Sequence, residues 1–302
     1  MRAERIAGMA LLVLLVLLPA VWMVGYAGFY SVGLLGLLRT GLTASWWWQA
    51  CSGGALLPSL LLSMTTAVVT TALCLVTGML LCVAADHWRV ERGVGVLLTL
   101  GAALPVSAVA FVVLQLCSRG GLLARGLAVW WPDFQPGDFP VLVNDVRSVG
   151  IVLAGWLTGV PLTGLFLLSV WRSAGLRRYV ELAERLGAGA WRARVCVGVP
   201  MLWRRSRLLA FLLLVWNFSA WEAPLLLGRQ SPRLMSVLIQ QSSGQYSLQD
   251  RPLSFVYATV NFAVLACLLL WLPRVHAGAS GGGKAADGGG AVGGLGPGQR
   301  AV

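Results

Sequence analysis

The sequence predicts an all-α membrane protein with six spanning helices. Three observations carry that expectation. Of 302 residues, 58% are hydrophobic and only 11% are charged, with a mean hydropathy of +0.78. A soluble domain has about 45–50% apolar and about 25% charged residues. Uncharged stretches of roughly 20 residues, the length that crosses a bilayer, recur six times. The basic residues, 23 Lys and Arg against 11 Asp and Glu, sort by side when those stretches are laid across a membrane. A water-soluble enzyme is excluded by this composition, and so is disorder over the bulk of the chain.

The spans follow in order. Segment 6–30 is the first. Arg2 and Arg5 precede it as in a signal peptide. Its apolar run exceeds the roughly 7–15 residues of a signal core, and no Ala-x-Ala site follows, so a retained helix is expected. The others are 58–85, 93–118, 148–171, 208–228 (interrupted by Glu222) and 252–273. Pro105, Pro161 and Pro224 fall within them and are expected to kink them. The resulting organisation is a first helix within 1–30, an external loop at 31–57, a core of five spans over 58–273 and a Gly-rich tail at 274–302. Low complexity predicts disorder in that tail from Ala277 onward.

Orientation comes from the basic residues. With the N-terminus inside, segments 1–5, 86–92, 172–207 and 274–302 are cytoplasmic and hold sixteen of them, against seven outside. The positive-inside rule then gives N-in and C-in. Nine arginines in 172–207 decide the result. The charge orients the chain and is not evidence for nucleic acid.

Several features have bland readings. Trp46, Trp47 and Trp48 beside a span end suit an interfacial belt, with docking of an external partner as the sharper alternative. Loop 119–147, with Trp130, Trp131, Pro132, Pro136 and Pro140, suits a re-entrant or interfacial segment with short helices. Gly278, Gly283 and Lys284 imitate the start of a phosphate-binding loop. Ala285 stands where Ser or Thr is needed, and no strand precedes it, so an ATP site is rejected. The six cysteines form no Cys-x-x-Cys pair, so no metal centre is expected, and only Cys51 and Cys117 fall where a disulfide could form. His87 and His276 flank spans. A membrane enzyme or a proton-coupled carrier therefore lacks its acid–base parts, and no catalytic residue or cofactor is expected.

The most specific signal is the loop 172–207. Leu176, Val180, Ala183 and Gly187 share one helical face; Arg178, Glu181 and Arg185 share another. Glu181 and Arg185 stand four apart in the favourable acid-to-base order. Gly187 and Gly189 predict a sharp turn. A short helix through Trp191 follows, and Pro200 marks the approach to the next span. One reading is an amphipathic helix on the membrane surface. The other is a helix–turn–helix that enters a groove on a cytoplasmic partner.

This segment resembles the EAA loop of permease subunits of bacterial ABC importers. That family's pattern is Glu-Ala-Ala, three residues, Gly, nine residues, Ile, one residue, Leu-Pro. Here Glu181-Leu182-Ala183 is followed by Gly187, Val197 and Val199-Pro200 at the same spacings. Leu182 departs from the small residue expected. The resemblance covers about 50–273 and is strongest over 176–227. It implies a type I importer fold whose loop, between the fourth and fifth spans, is a cytoplasmic coupling helix docking on a separate ATPase subunit. Glu181, Ala183, Gly187, Val197 and Pro200 are then the coupling residues. It also implies a second permease subunit, an external solute-binding protein and a multi-pass place in the bacterial inner membrane, in contact with lipid. Segment 222–228 resembles importers for polyamines, iron(III), thiamine and inorganic anions; sugars and other solutes stay open. An ATP-independent carrier or channel is the alternative. Asn217, Glu222 and Gln115 are candidates for the solute path. For Glu222 the competing reading is snorkelling to the outer interface, and for Gln115 it is bridging between helices.

Overall fold

The computed structural model describes residues 8, 11, 13–36, 41–131, 133–244 and 251–280. Every regular element among them is helical. In chain order these are α1 (Val13–Ser31), α2 (Ser45–Ser52), α3 (Leu56–His87), α4 (Glu91–Ala102), α5 (Val106–Cys117), α6 (Leu122–Trp130), α7 (Val149–Ser173), α8 (Leu176–Arg185), α9 (Ala190–Ala193), α10 (Val199–Ser219), α11 (Glu222–Leu227), α12 (Met235–Ser243) and α13 (Arg251–Ser280). A 3₁₀ turn, Pro136–Asp138, stands between α6 and α7.

Among the described residues, five stretches are long and apolar enough to cross a membrane: Val13–Ser31, Leu56–His87, Val106–Trp130, Val149–Ser173 and Arg251–Leu270. The expected span 208–228 is not one of them. Two of the expected spans are broken, and proline is the physical reason in each. Segment 93–118 divides into α4 and α5 because Pro105 lies in extended backbone, at φ −61° and ψ 140°. Its ring disfavours helix in the residue before it and removes a donor. Segment 208–228 divides into α10 and α11. Pro224 has no N–H to give the carbonyl of Ala220, where α10 has ended. That carbonyl accepts the Ser236 hydroxyl at 2.6 Å instead. Pro161, by contrast, stays inside a continuous α7.

The last expected span, 252–273, lies inside α13, which continues to Ser280 through the start of the expected tail. Residues 281–302, with most of the phosphate-loop imitation, lie outside the described residues. Cys51 and Cys117 are both free thiols.

The centre of the bundle is α3 against α7, running parallel, with α10 antiparallel to both. Thr70, Cys74, Gly78 and Asp86 of α3 meet Gly155, Gly159, Thr163 and Trp171 of α7 in turn. Gly155-x-x-x-Gly159 makes the approach possible: a Cβ on Gly159 would stand 2.5 Å from the Cys74 sulfur. Small residues drive such contacts in lipid, where apolar burial offers no preference between helix and acyl chain. The Trp156 indole adds a hydrogen bond to the Thr77 hydroxyl at 3.0 Å. On the outside, α1 leans on α13 through Tyr30 stacked 4.1 Å from Phe255. Trp46 and Trp47 of α2 pack on the Met235, Val256 and Tyr257 cluster, whereas Trp48 is exposed.

The bundle thus has two ends. At one, α3 turns into α4 and α7 passes through α8 and α9 into α10. At the other lie α2, α6, the 3₁₀ turn and α11.

Candidate coupling loop and path residues

The helix–turn–helix expected over 172–207 is present. Gly175, at φ +61°, opens α8. Gly187, at φ +93°, closes it. The N–H of Ala188 donates to the carbonyl of Ala183 at 3.1 Å and that of Gly187 to Glu184 at 3.0 Å. This is the Schellman cap, which needs a left-handed residue at the position of Gly187. A side chain at φ +93° would be strained whatever space surrounds it.

The two faces of α8 separate as the spacing predicts. Leu176 and Val180 are fully buried with Trp171, Leu167 and Leu202, and Ala183 packs against that cluster. Removing such side chains from water contributes about 1.5–3 kcal/mol each. Tyr179, Leu182 and Leu186 point away from the bundle, and Leu186 is 81% exposed. Leu182, the departure from the EAA pattern, is more than half exposed.

Beyond the turn, α9 leads into a π-helical turn, Arg194–Gly198, and directly into α10. The wider turn just precedes Pro200, where an α-helix would need the missing N–H. The same order recurs in α1, where the π turn Val13–Leu17 precedes Pro19. Val197 is half-buried in that turn, and Gly198 stands so close to the Trp171 ring that a Cβ there would lie 2.5 Å from it.

A buried charge network roots this loop, and sequence reasoning did not find it. Asp86, the penultimate residue of α3, is 0% exposed. Its Oδ2 accepts from Arg194 Nε at 2.8 Å and its Oδ1 from the Trp171 indole at 3.1 Å. Arg194 Nη1 also donates to Glu184 Oε1 at 2.6 Å and to the carbonyl of Ala190 at 2.7 Å. Arg177 stands between Asp86 at 3.7 Å, Glu91 at 3.6 Å and Glu181 at 3.4 Å. Arg172 Nε donates to Glu91 Oε2 at 2.9 Å. Glu181 thus pairs with Arg177, one turn before it, rather than with the expected Arg185. The acid at 86 was legible as the point where an uncharged stretch stops; its burial was not.

The path candidates are not brought together. Asn217 donates to the Thr71 hydroxyl at 3.1 Å and to the carbonyl of Leu213 at 2.9 Å, joining α10 to α3. Glu222 opens α11, where the helix N-terminus favours an acid. It borders a cavity of about 500 Å³ with Val106, Trp216, Ser219 and Trp221. Gln115 is exposed on α5. Among the described residues, no hydrogen bond or ion pair links the three.

The fold has a solved counterpart. It is similar to a chain of a bacterial ABC transporter involved in the import of the acidic polysaccharide alginate. The TM-score is 0.70 over 92% of this chain and 94% of that one, at 12% sequence identity. At that identity the likeness is one of fold alone: an all-helical, membrane-type chain. No family model and no curated protein matches the sequence.

Proposed function

We propose that this chain is the membrane-spanning permease subunit of an ATP-driven ABC importer. The observation that carries the reading is the α8–Gly187–α9 hairpin. It is anchored in the bundle through Leu176, Val180 and the Asp86 network. It presents an unpartnered apolar ridge of Tyr179, Leu182 and Leu186. That is a helix made to enter a groove on another protein. The fold of the alginate-importer chain and the EAA spacing support the same reading.

In this reading α10 is the fifth of six spans, with Arg204, Arg205 and Arg207 holding its start at the cytoplasmic surface. The N-terminus and α13's end lie inside, and the chain is multi-pass in a bacterial inner membrane. Two such subunits, identical or homologous, enclose the path. ATP on the partner subunits draws the two hairpins together and rocks the spans between inward- and outward-open states, a two-state equilibrium biased by nucleotide and solute. An external binding protein delivers the solute. The resemblance of 222–228 favours a polyamine, iron(III), thiamine or an inorganic anion. Asn217, Glu222 and Gln115 are the residues to test along the path.

The test is co-purification with an ATPase subunit. Gly187→Trp is expected to abolish both that association and ATP-dependent uptake. Retention of both leaves the alternative, a carrier or channel that works without ATP.

A further inference from the structure

We infer that Asp86 is a positioning residue that locks the coupling hairpin to the bundle, so that force applied to α8 is delivered to α3 and α7 together. The inference rests on the permease reading and adds to it an internal transmission element outside the EAA pattern.

Three separate chain segments converge on one carboxylate. Asp86 ends α3, Trp171 ends α7, and Arg194 stands just past the turn. Trp171 and Arg194 donate to different oxygens, so the carboxylate is gripped from two directions. Arg194 then reaches back to Glu184 on α8, which closes a loop from α3 through the post-turn segment to the coupling helix. Arg177 repeats the connection from the same face of α8, joining Glu181 to Asp86 and Glu91. Glu181 is therefore held by its own chain and orients α8 from within.

Burial makes the lock stiff. The Asp86 side chain is 0% exposed and that of Arg194 only 10%. In such surroundings water cannot replace a lost partner, and ionic hydrogen bonds are stronger and more directional than at a surface. Apolar packing alone permits sliding; a carboxylate gripped by a guanidinium and an indole fixes both distance and angle. Gly198 against the Trp171 ring removes the slack beside it. A hairpin needed only as a surface anchor has no use for such a junction.

The test is spin-label distance measurement on the full chain in lipid nanodiscs with its ATPase subunits. Exposed Cys51, Cys196 and Cys267 are first replaced by Ser. Labels at Trp88→Cys and Arg178→Cys, both exposed positions outside the apolar ridge, span the junction. A second pair, Val129→Cys at the far end and a site on the ATPase, reports transmission. Asp86→Asn and Arg194→Met are expected to widen the junction distribution at least twofold and to reduce the ATP-driven change in the second pair at least threefold. ATP hydrolysis by the assembled complex is expected to stay within twofold of wild type. Trp171→Phe, which removes the indole donor and part of the buried ring volume, is expected to give an intermediate widening. Wild-type junction width in both Asp86→Asn and Arg194→Met overturns the lock. A drop in hydrolysis and transmission in proportion, with junction width unchanged, also overturns it, because that is the mark of general destabilisation. If the wild-type chain binds no ATPase and shows no ATP-driven change, the permease reading fails, and the junction width alone then decides the lock.

Discussion

The two ends of this bundle are held by different physics. At the hairpin end, four acids and three arginines interlock over a fully buried carboxylate, above an apolar cluster centred on Trp171. At the opposite end, an apolar cluster of Ala110, Val113, Ile151, Ala223 and Leu227 is supplemented by single hydrogen bonds between helix ends. Ser236 covers the carbonyl of Ala220, the N–H of Asn144 meets the carbonyl of Leu227, and the hydroxyl of Ser63 takes the N–H of Met235. Charge pairs resist both translation and rotation. Isolated hydrogen bonds next to extended residues allow a segment to swing. The contrast fits a device pushed at a rigid end and opened at a pliable one.

Substitutions that break the rigid end should therefore cost most. Asp86→Ala removes the buried partner of Arg194 Nε, leaving Glu184 as the only acid on that guanidinium, and is expected to lower stability by about 3–5 kcal/mol, read as a fall in thermal unfolding midpoint in nanodiscs. Between the ends, Gly159→Leu forces side-chain volume into the space of Cys74 and is expected to cost about 1–3 kcal/mol in the same assay. At the pliable end, Ser236→Ala removes one hydroxyl donor and should cost about 0.5–1.5 kcal/mol. Hydrogen exchange should quicken in α11 and the end of α10 and stay unchanged around Asp86. Glu222→Gln removes an acid from a helix N-terminus and should cost only about 0.3–1 kcal/mol. A larger loss of transport than of stability in that variant would assign Glu222 to the solute path. Equal costs at the two ends would dissolve the comparison.

Much of this was legible in the sequence because it depends on local rules. Hydropathy located the long helices, and periodicity placed Leu176 and Val180 inward. Gly187 announced a turn that only a left-handed residue closes. The breaks at Pro105 and Pro224 were less legible, since proline in lipid either kinks or ends a helix, and the neighbours decide which. Ser236, sixteen residues from Ala220, makes one such decision. The Asp86 network was invisible for the same reason. Its partners lie 85 and 108 residues away, and an acid at a span end ordinarily faces water. The pairing of Glu181 with Arg177 shows the same override. The acid-to-base order at i,i+4, worth a few tenths of a kcal/mol, yields to a base-to-acid pair at the same spacing, whose guanidinium is already placed by two other acids.

The central claim is that the hairpin tip is the docking point for an ATPase, and site-specific cross-linking tests it most directly. A cysteine at Leu186, with exposed Cys51, Cys196 and Cys267 replaced by Ser, should cross-link to an ATPase subunit in native membranes, in a yield that changes on adding ATP. Trp130→Cys at the opposite end serves as control and should give no such product. A Leu186→Cys chain that stays uncross-linked while the protein still transports solute, or equal cross-linking from both ends, contradicts the account.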